Sequence, residues 1–399
     1  MILSGSIPEQ AVILAGGKGK RLRPITNSIP KPMIKFHNIP FLEHLIIQLK
    51  NQGIKKILLL LGYLPHIIQD YFKDGQSYGI LIEYSVTDVD NDTGMRLSLA
   101  KHKIDQFFYM LYCDNYLPIN FLKMWQHFID SSCIGQLTIY TNKDDYTKSN
   151  LRLNNHGIIE FYDKTRLSNS LQGVDLGYAI FNKDVLNYLP DKNVNFENEV
   201  YPALVSIKKL SGYTTDHRYY SVSNHDRLHL TEQFFQKKKF VILDRDGVLN
   251  IKQPKSKYVT NWKDFKWIDG VKESLVMLSK ADIQLIIVTN QAGIARGFMS
   301  INDLNEIHNN MKKELSMLGV KIAAIYFCPH GWNDNCECRK PKPGMLYKAQ
   351  KDFHLDLTQT IFIGDDDRDM QAGESAGCIT FLVTHSRSLL DIVKNNILI

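Results

Sequence analysis

The run FVIL (240–243) ends in Asp244-Arg245-Asp246-Gly247. Carboxylates at i and i+2 just past a buried strand lie on one rim of a sheet, and the glycine after them lets the backbone turn away. LIIV (285–288) leads into Thr289-Asn290-Gln291, and TIFI (360–363) into Gly364-Asp365-Asp366-Asp367. Three strand ends thus bring acids and a hydroxyl to one edge. Crowded carboxylates repel unless a cation sits among them, and oxygen ligands of this kind suit Mg²⁺. This is equipment for moving a phosphoryl group. Asp244 attacks phosphorus; Asp246 protonates the leaving oxygen and then activates water. Mg²⁺ is held by Asp244, Asp365 and the Asp246 carbonyl, while Lys340 and Thr289 hold the transferring oxygens. A lone DxDG more often caps a turn. The order DxD, T, K, GDD does not suit that bland role.

FCPHGWNDNCECRKPKPG (327–344) places Cys328, His330, Cys336 and Cys338 close together in a chain with only six cysteines. Three thiolates and an imidazole make a closed tetrahedral zinc set, with no position left for a reacting water. Four unconnected core residues would not be separated by the polar, turn-forming GWNDN. The zinc is therefore structural. It braces the loop so that Arg339 and Lys340, directly after Cys338, are aimed at a phosphate.

AVILAGGKGKRLRPIT (11–26) is a strand followed by a glycine- and arginine-rich loop. No GK[ST] closes it, so it is not a P-loop, and the third glycine of a dinucleotide fingerprint is missing. Gly16, Gly17 and Gly19 permit close backbone approach to phosphates, and Lys18, Arg21 and Arg23 add charge. Pro30-Lys31-Pro32 follows, a lysine on a stiffened turn.

The elements that position these residues alternate short β-rich runs with amphipathic helical stretches. AVIL (11–14), KILLLL (56–61), ILIEYS (80–85), FFYMLY (107–112) and QLTIY (136–140) read as strands, with helices over 41–53 and 65–72. A second series occupies 240–243, 284–288, 322–327, 360–363 and 379–383. Both halves are α/β, each a mainly parallel sheet flanked by helices, with ligands expected at the carboxyl ends of the strands. A helical pattern runs out into QKKK, which gives domains 1–235 and 240–399 joined by a linker, 236–239. The short segment 251–270 cannot form a large cap, so the second site is open. The 399 residues also suggest two cores.

A hydrophobic content of 44%, a charged content of 23% and a net charge of +6 suit a soluble protein with anionic small substrates. Without a basic stripe or interleaved aromatics, nucleic acid is not expected. No apolar run is long enough for a membrane span, and the first residues read as a buried strand rather than a signal peptide. Scattered Cys113, Cys133 and Cys378 read as reduced core thiols, which places the chain in the cytoplasm. The oligomeric state is not readable.

Residues 240–399 resemble the haloacid dehalogenase superfamily of phosphatases. TNQAGIARG (289–297), the Cys-His-Cys-Cys loop and CRKPKPG narrow the likeness to the D,D-heptose 1,7-bisphosphate 7-phosphatase branch. Histidinol-phosphate phosphatases share a similar metal loop and are disfavoured by GIARG. The family's phosphate and substrate contacts map onto Arg339 and Lys340. Where a lysine is expected after the third-motif aspartate, this chain has Asp366.

The glycine-rich loop with PKPM resembles the sugar-1-phosphate nucleotidylyltransferases over about 10–235. The resemblance implies attack of a sugar 1-phosphate on the α-phosphorus of a nucleoside triphosphate, with Arg21, Lys31 and Mg²⁺ stabilising charge. It places a Mg²⁺ aspartate at Asp114, where Cys113 replaces a preceding glycine. It also assigns the sugar-phosphate lysine to Lys164 and the sugar-site glycine to Gly177. DNDTGMRL (90–97) stands for the family's LGTAG-like segment, and Ser221 for a second metal aspartate. Together the two likenesses imply consecutive steps toward a nucleotide-heptose for surface polysaccharide, with GTP favoured by pathway analogy. The alternatives are a non-catalytic binding module in the first half, or another sugar such as mannose.

Overall fold

The computed structural model describes residues 7–236, 238–254 and 257–398. The chain forms two compact units, Met1–Phe235 and Gln236–Ile399. Lys237, within the expected linker, lies outside the described residues, and the next strand begins at Lys239.

The first unit is built on a seven-stranded sheet. Its order runs Leu210–Thr215, Gly135–Tyr140, Val174–Asn182, Phe107–Tyr112, Gln10–Ala15, Lys56–Leu61 and Leu81–Val86. Val174–Asn182 is antiparallel to both neighbours, and the other pairings are parallel. KILLLL shows why a continuous apolar run becomes a central strand. Ile57, Leu59 and Leu61 enter one core layer, and Leu58 and Leu60 enter the layer on the opposite face. The helix Phe41–Asn51 covers one face by burying Phe41, Leu42, Leu45, Ile46 and Leu49, one stripe of a 3.6-residue period.

The second unit has a five-stranded parallel sheet. Its order is Ile322–Cys328, Ile283–Asn290, Lys239–Leu243, Ile361–Gly364 and Ile379–Leu382. Val241 and Leu243 face one core layer, Phe240 and Ile242 the other.

Strand ends differ from the sequence reading by a residue or two. The largest shift matters: Ile283–Asn290 continues through Thr289, which is only 1% exposed, so that hydroxyl belongs to the strand itself. In each sheet one strand is flanked on either side by strands that leave it in opposite directions. Gln10–Ala15 and Lys239–Leu243 hold those positions, and crevices at such switch points receive ligands. The glycine loop follows the first, and Asp244-Arg245-Asp246 follows the second.

Candidate active sites

At the end of Lys239–Leu243, Asp244 is 7% exposed and Lys340 only 3%. The Lys340 ammonium lies 2.8 Å from Asp244 Oδ1 and 2.6 Å from Asp369 Oδ1, and it donates to the Val288 carbonyl at 3.1 Å. Burial works against its charge, but the two carboxylates outweigh that and hold it above its ordinary value. Burial in turn pushes the Asp244 carboxyl up, against the pull of Lys340.

Asp369 was not singled out by the sequence reading. It stands on the first turn of the helix Asp367–Ala376, where its carboxylate also accepts from the backbone N–H groups of Asp365 and Asp366. Its place in DDDRD, four residues after Asp365, was the available signal. That spacing alone does not distinguish a site residue from a helix-start acid.

Asp244, Asp365 and Asp369 each offer an oxygen within 4.8 Å of the others. Asp365 Oδ1 is buried without a hydrogen-bond partner, as an atom reserved for a cation is. Gly247 keeps space for that side chain: a Cβ there would lie 2.2 Å from Asp365 Oδ2, and its φ of +96° favours glycine anyway. These residues fit Mg²⁺. Lys252 holds the other oxygen, Asp365 Oδ2, at 2.6 Å.

The Asp366 departure has a local explanation. Asp366 caps the helix Asp367–Ala376 and takes Arg368 Nε and Nη2 at 2.8 and 2.9 Å, with Lys252 at 3.4 Å. Its negative charge is therefore compensated on the spot. Hydrogen bonding from Arg368 is the first cause that holds its carboxyl well below the usual range.

Asp246 accepts from Asn250 at 2.9 Å, from Gln291 at 2.8 Å and from Arg245. Burial alone would raise its carboxyl, but Arg245 and these donors together hold it low. Thr289 accepts from Gln291 at 2.9 Å. Asp246, Arg339, Lys252, Lys257, Arg368 and Trp332 line a cavity of 630 Å³. Tyr258 lines it too, whereas Trp262 stacks on Phe265 beneath the loop at 4.8 Å.

In the cysteine loop, Cys328 Sγ lies 3.6 Å from Cys336 Sγ and 3.5 Å from His330 Nδ1. Cys338 Sγ lies 3.6 Å from Cys336 Sγ and 3.2 Å from His330 Nδ1. With Zn–S near 2.3 Å and Zn–N near 2.0 Å, a tetrahedron has edges of about 3.8 Å (S–S) and about 3.5 Å (N–S). The donor set fits zinc through Nδ1. Arg339 donates to the His330 carbonyl at 3.4 Å, tying the cavity's arginine to the loop.

The first unit gathers Gly16, Gly17, Gly19, Arg21, Lys31 and Asp114 around a cavity of 350 Å³. Lys31 meets Asp114 at 2.6 Å. The glycines serve different ends. Around Gly17 a Cβ would meet nothing within 4 Å, which leaves the backbone open, and Gly19 has φ +59°. Gly16 instead makes room for a residue the sequence reading missed, since a Cβ there would lie 2.4 Å from Arg96 Cζ. Arg96, 3% exposed, donates to the carbonyls of Leu61, Asp88 and Val89 and so ties the 88–92 segment to the strand ends.

Three expected residues stand outside the cavity lining. Lys18 pairs with Asp90 at 2.5 Å, and Lys20 faces the cavity. Lys164 is not among the lining residues either, because Glu197 holds it at 2.6 Å and Asn195 at 2.7 Å. Gly177 reaches the cavity only through Tyr112, whose ring a Cβ would meet at 2.9 Å. Burial, then Glu197 and Asp175, push the Tyr112 hydroxyl far up, so Glu197 and Asp175 form an acidic wall beside that tyrosine.

Ser221 is 2% exposed, its hydroxyl 2.9 Å from that of Ser223, and it supplies no carboxylate. Ser223 is the serine that lines the cavity. These residues do not form a two-carboxylate magnesium site. The helix that follows is capped by Asn224, which accepts from Arg227 N.

A family model described as nucleotidyl transferase matches residues 10–291, running past Phe235 across two strands of the second sheet. A second, described as polynucleotide kinase 3 phosphatase, matches 239–377. D-glycero-alpha-D-manno-heptose-1,7-bisphosphate 7-phosphatase from Campylobacter jejuni is 44% identical over 149 residues, covering 37% of this chain and 84% of that protein. The chain belongs to the nucleotidyl transferase family and, in its second unit, to the heptose-bisphosphate phosphatases. D-glycero-beta-D-manno-heptose-1,7-bisphosphate 7-phosphatase from Bordetella bronchiseptica is 39% identical, with 36% of this chain and 80% of that protein covered. The crystal structure of HddC from Yersinia pseudotuberculosis matches at a TM-score of 0.50 and 21% identity, over 57% of this chain and all of that one, which shows the shared fold. The chain therefore joins a nucleotidyltransferase to a phosphatase. Among the described residues, no helix is long and apolar enough to cross a membrane.

Proposed function

We propose that the second unit removes the 7-phosphate of D-glycero-D-manno-heptose 1,7-bisphosphate and that the first joins the resulting heptose 1-phosphate to a nucleotide. One observation carries the reading: a nucleophile-grade carboxylate, Asp244, is held by buried Lys340 beside a cavity that presents Arg339, Arg368, Lys252 and Lys257. That set suits a substrate with two phosphates, one for Asp244 and one for Arg339 and Lys257, while Lys252 and Arg368 hold Asp365 and Asp366. The substrate for which the relatives are named supports it.

An Asp244 oxygen bonds to phosphorus, and the bond to the C7 oxygen breaks. That oxygen takes a proton from Asp246, and water then releases phosphate from the aspartyl group. Lys340 and the Thr289 end of its strand hold the phosphoryl oxygens. Magnesium, held by Asp244, Asp365 and the Asp246 carbonyl with Asp369 beside them, would neutralise part of the charge that the phosphate brings.

In the first unit the sugar phosphate oxygen attacks the α-phosphorus and pyrophosphate leaves. Arg21 and Lys31 stabilise the charge, and the open backbone at Gly17 admits the phosphates. GTP is the favoured nucleotide. The α-anomer named for the Campylobacter relative supports that choice through pathway analogy. A cytoplasmic location and small-molecule partners accord with this chemistry.

The test supplies the bisphosphate, as each anomer, with Mg²⁺ and each nucleoside triphosphate in turn, following phosphate and pyrophosphate separately. Phosphate followed by pyrophosphate with one nucleotide is the expected result. Phosphate alone throughout would favour a first unit that binds without turnover, the reading that Ser221 supports. Asp244→Asn should stop phosphate release and leave pyrophosphate release from heptose 1-phosphate intact. Loss of both would contradict two separate sites.

A further inference from the structure

The residue between the two aspartates of the DxD motif is itself buried. Arg245 has no exposed surface, and a guanidinium stays charged, so such burial requires acceptors on its N–H groups. It has them on two sides. Toward the cavity, Nη2 donates to Asp246 Oδ1 and Oδ2 at 3.0 and 2.9 Å, with Nε 3.3 Å from Oδ1. On the other side, Nη1 lies 3.2 Å from Nε2 of His308. His308 sits on the helix Ile301–Met317 and is 5% exposed.

Arginine can only donate. The His308 nitrogen must therefore accept, which makes the ring neutral with its proton on Nδ1. Burial first, and the charge of Arg245 second, hold His308 down to about 3, in agreement with that assignment. Asn250 and Gln291 add one donor to each Asp246 oxygen. The carboxylate is thus fixed in orientation, and the planar fork of Arg245 supplies most of the fixing.

We propose that Arg245, backed by neutral His308, is a positioning residue that fixes Asp246 for hydrolysis of the aspartyl-phosphate. This rests on the phosphatase reading above. In that step a water oxygen bonds to phosphorus and its proton passes to the Asp246 carboxylate. The bond from phosphorus to the Asp244 oxygen breaks, its electron pair returns to Asp244, and inorganic phosphate leaves. A carboxylate that must take a proton from an attacking water needs to be aimed at it. Without the His308 acceptor, Nη1 is left buried and unpaired, and the fork turns away from Asp246 to satisfy it.

The test uses full-length protein with two substitutions at one position. His308→Leu removes the acceptor, and His308→Gln keeps an amide oxygen there. Each is mixed with D-glycero-D-manno-heptose 1,7-bisphosphate, quenched in acid, and examined by mass spectrometry for phosphate on Asp244. For His308→Leu, kcat should fall roughly ten- to hundredfold while phosphoenzyme rises to become the main species. His308→Gln should restore both toward wild type. Arg245→Lys, which keeps the charge but not the fork, should accumulate phosphoenzyme like His308→Leu. The proposal is overturned if the Leu and Gln variants lose activity equally with no rise in phosphoenzyme. Failure of the underlying reading would look different: Asp244→Asn would still release phosphate, and no variant would carry the label.

Discussion

Lys340→Met keeps a long apolar stem of similar shape and removes one buried charge. In the native protein that charge faces Asp244 and Asp369 at 2.8 and 2.6 Å, and both carboxylates are themselves buried, at 7% and 2% exposure. Breaking a buried ionic group by deleting one partner costs about 3–5 kcal/mol, because the remaining charge is left uncompensated. In a unit of this size each kcal/mol lowers the melting temperature by about 2–4 °C. The second unit should therefore melt roughly 6–20 °C lower at pH 8 without added Mg²⁺.

The loss should shrink at lower pH, and its sign can be worked out. Burial already holds the Asp244 carboxyl above its unfolded value of 3.8, and losing Lys340 raises it further. The native state then binds more protons than the unfolded state above 3.8, so variant stability falls as pH rises through the folded value. Scanning calorimetry of the full chain at pH 6 and pH 8, with the two transitions followed separately, measures this. A shift that is negligible at pH 8, or equal at the two pH values, would refute the reasoning. Added Mg²⁺ should recover part of the loss, since it supplies positive charge to the same carboxylates.

Cys336→Ser should lower zinc content below one ion per chain by metal analysis and weaken substrate binding at the phosphatase cavity more than it slows the chemistry, because the braced loop carries Arg339. Lys31→Ala should abolish pyrophosphate release with little change in melting temperature. Its pair with Asp114 is 12% and 26% exposed, so water compensates much of the loss. Burial first, then Glu197, push Asp175 up to about 7, so its contribution to stability should fall as pH rises from 3.8 to about 7. The difference in melting temperature between wild type and Asp175→Asn across that window reads this out, since His44 and His217, both held down to about 4 by burial, act in the opposite direction.

The second sheet and five strands of the first were legible because burial on both faces writes a strand as a continuous apolar run, as in KILLLL and LIIV, and DxDG and the glycine loop fall where such runs stop; Val174–Asn182 and Leu210–Thr215 were not read as strands. The zinc loop was legible because its four donors are close in sequence. What stayed hidden depends on long-range contacts. Arg96 comes close to Gly16 only through the parallel pairing of Gln10–Ala15 with Lys56–Leu61 and the packing of the helix Thr93–Leu99, so a glycine that looked like a phosphate residue is there for an arginine. Lys164 was placed by motif, but Glu197, thirty-three residues on, decides where its ammonium points. Ser221 ends a two-residue strand paired with Asn115, whereas Ser223, past the strand end, lines the cavity, and nothing in the sequence tells the two apart.

Both sites use the same electrostatic device at different depths. In each unit a lysine beside prolines, in PKP at Pro30–Pro32 and in CRKPKP at 338–343, meets an aspartate that ends a parallel strand at the sheet's switch point or beside it. An aspartate that works on phosphate must coexist with an anion, and a nearby ammonium lowers that repulsion without a metal's geometric demands. Depth then separates the roles. The side chains of Lys340 and Asp244 are 4% and 10% exposed, and a third charge, Asp369, shares the lysine. That is an environment in which a carboxylate can be desolvated enough to act as a nucleophile. Lys31 and Asp114 remain partly in water and have no comparable third carboxylate among the described residues. Such a pair can steer and align phosphates but is poorly placed to form a covalent bond with one. The difference in burial fits the proposed covalent transfer in the second unit and the proposed direct displacement in the first.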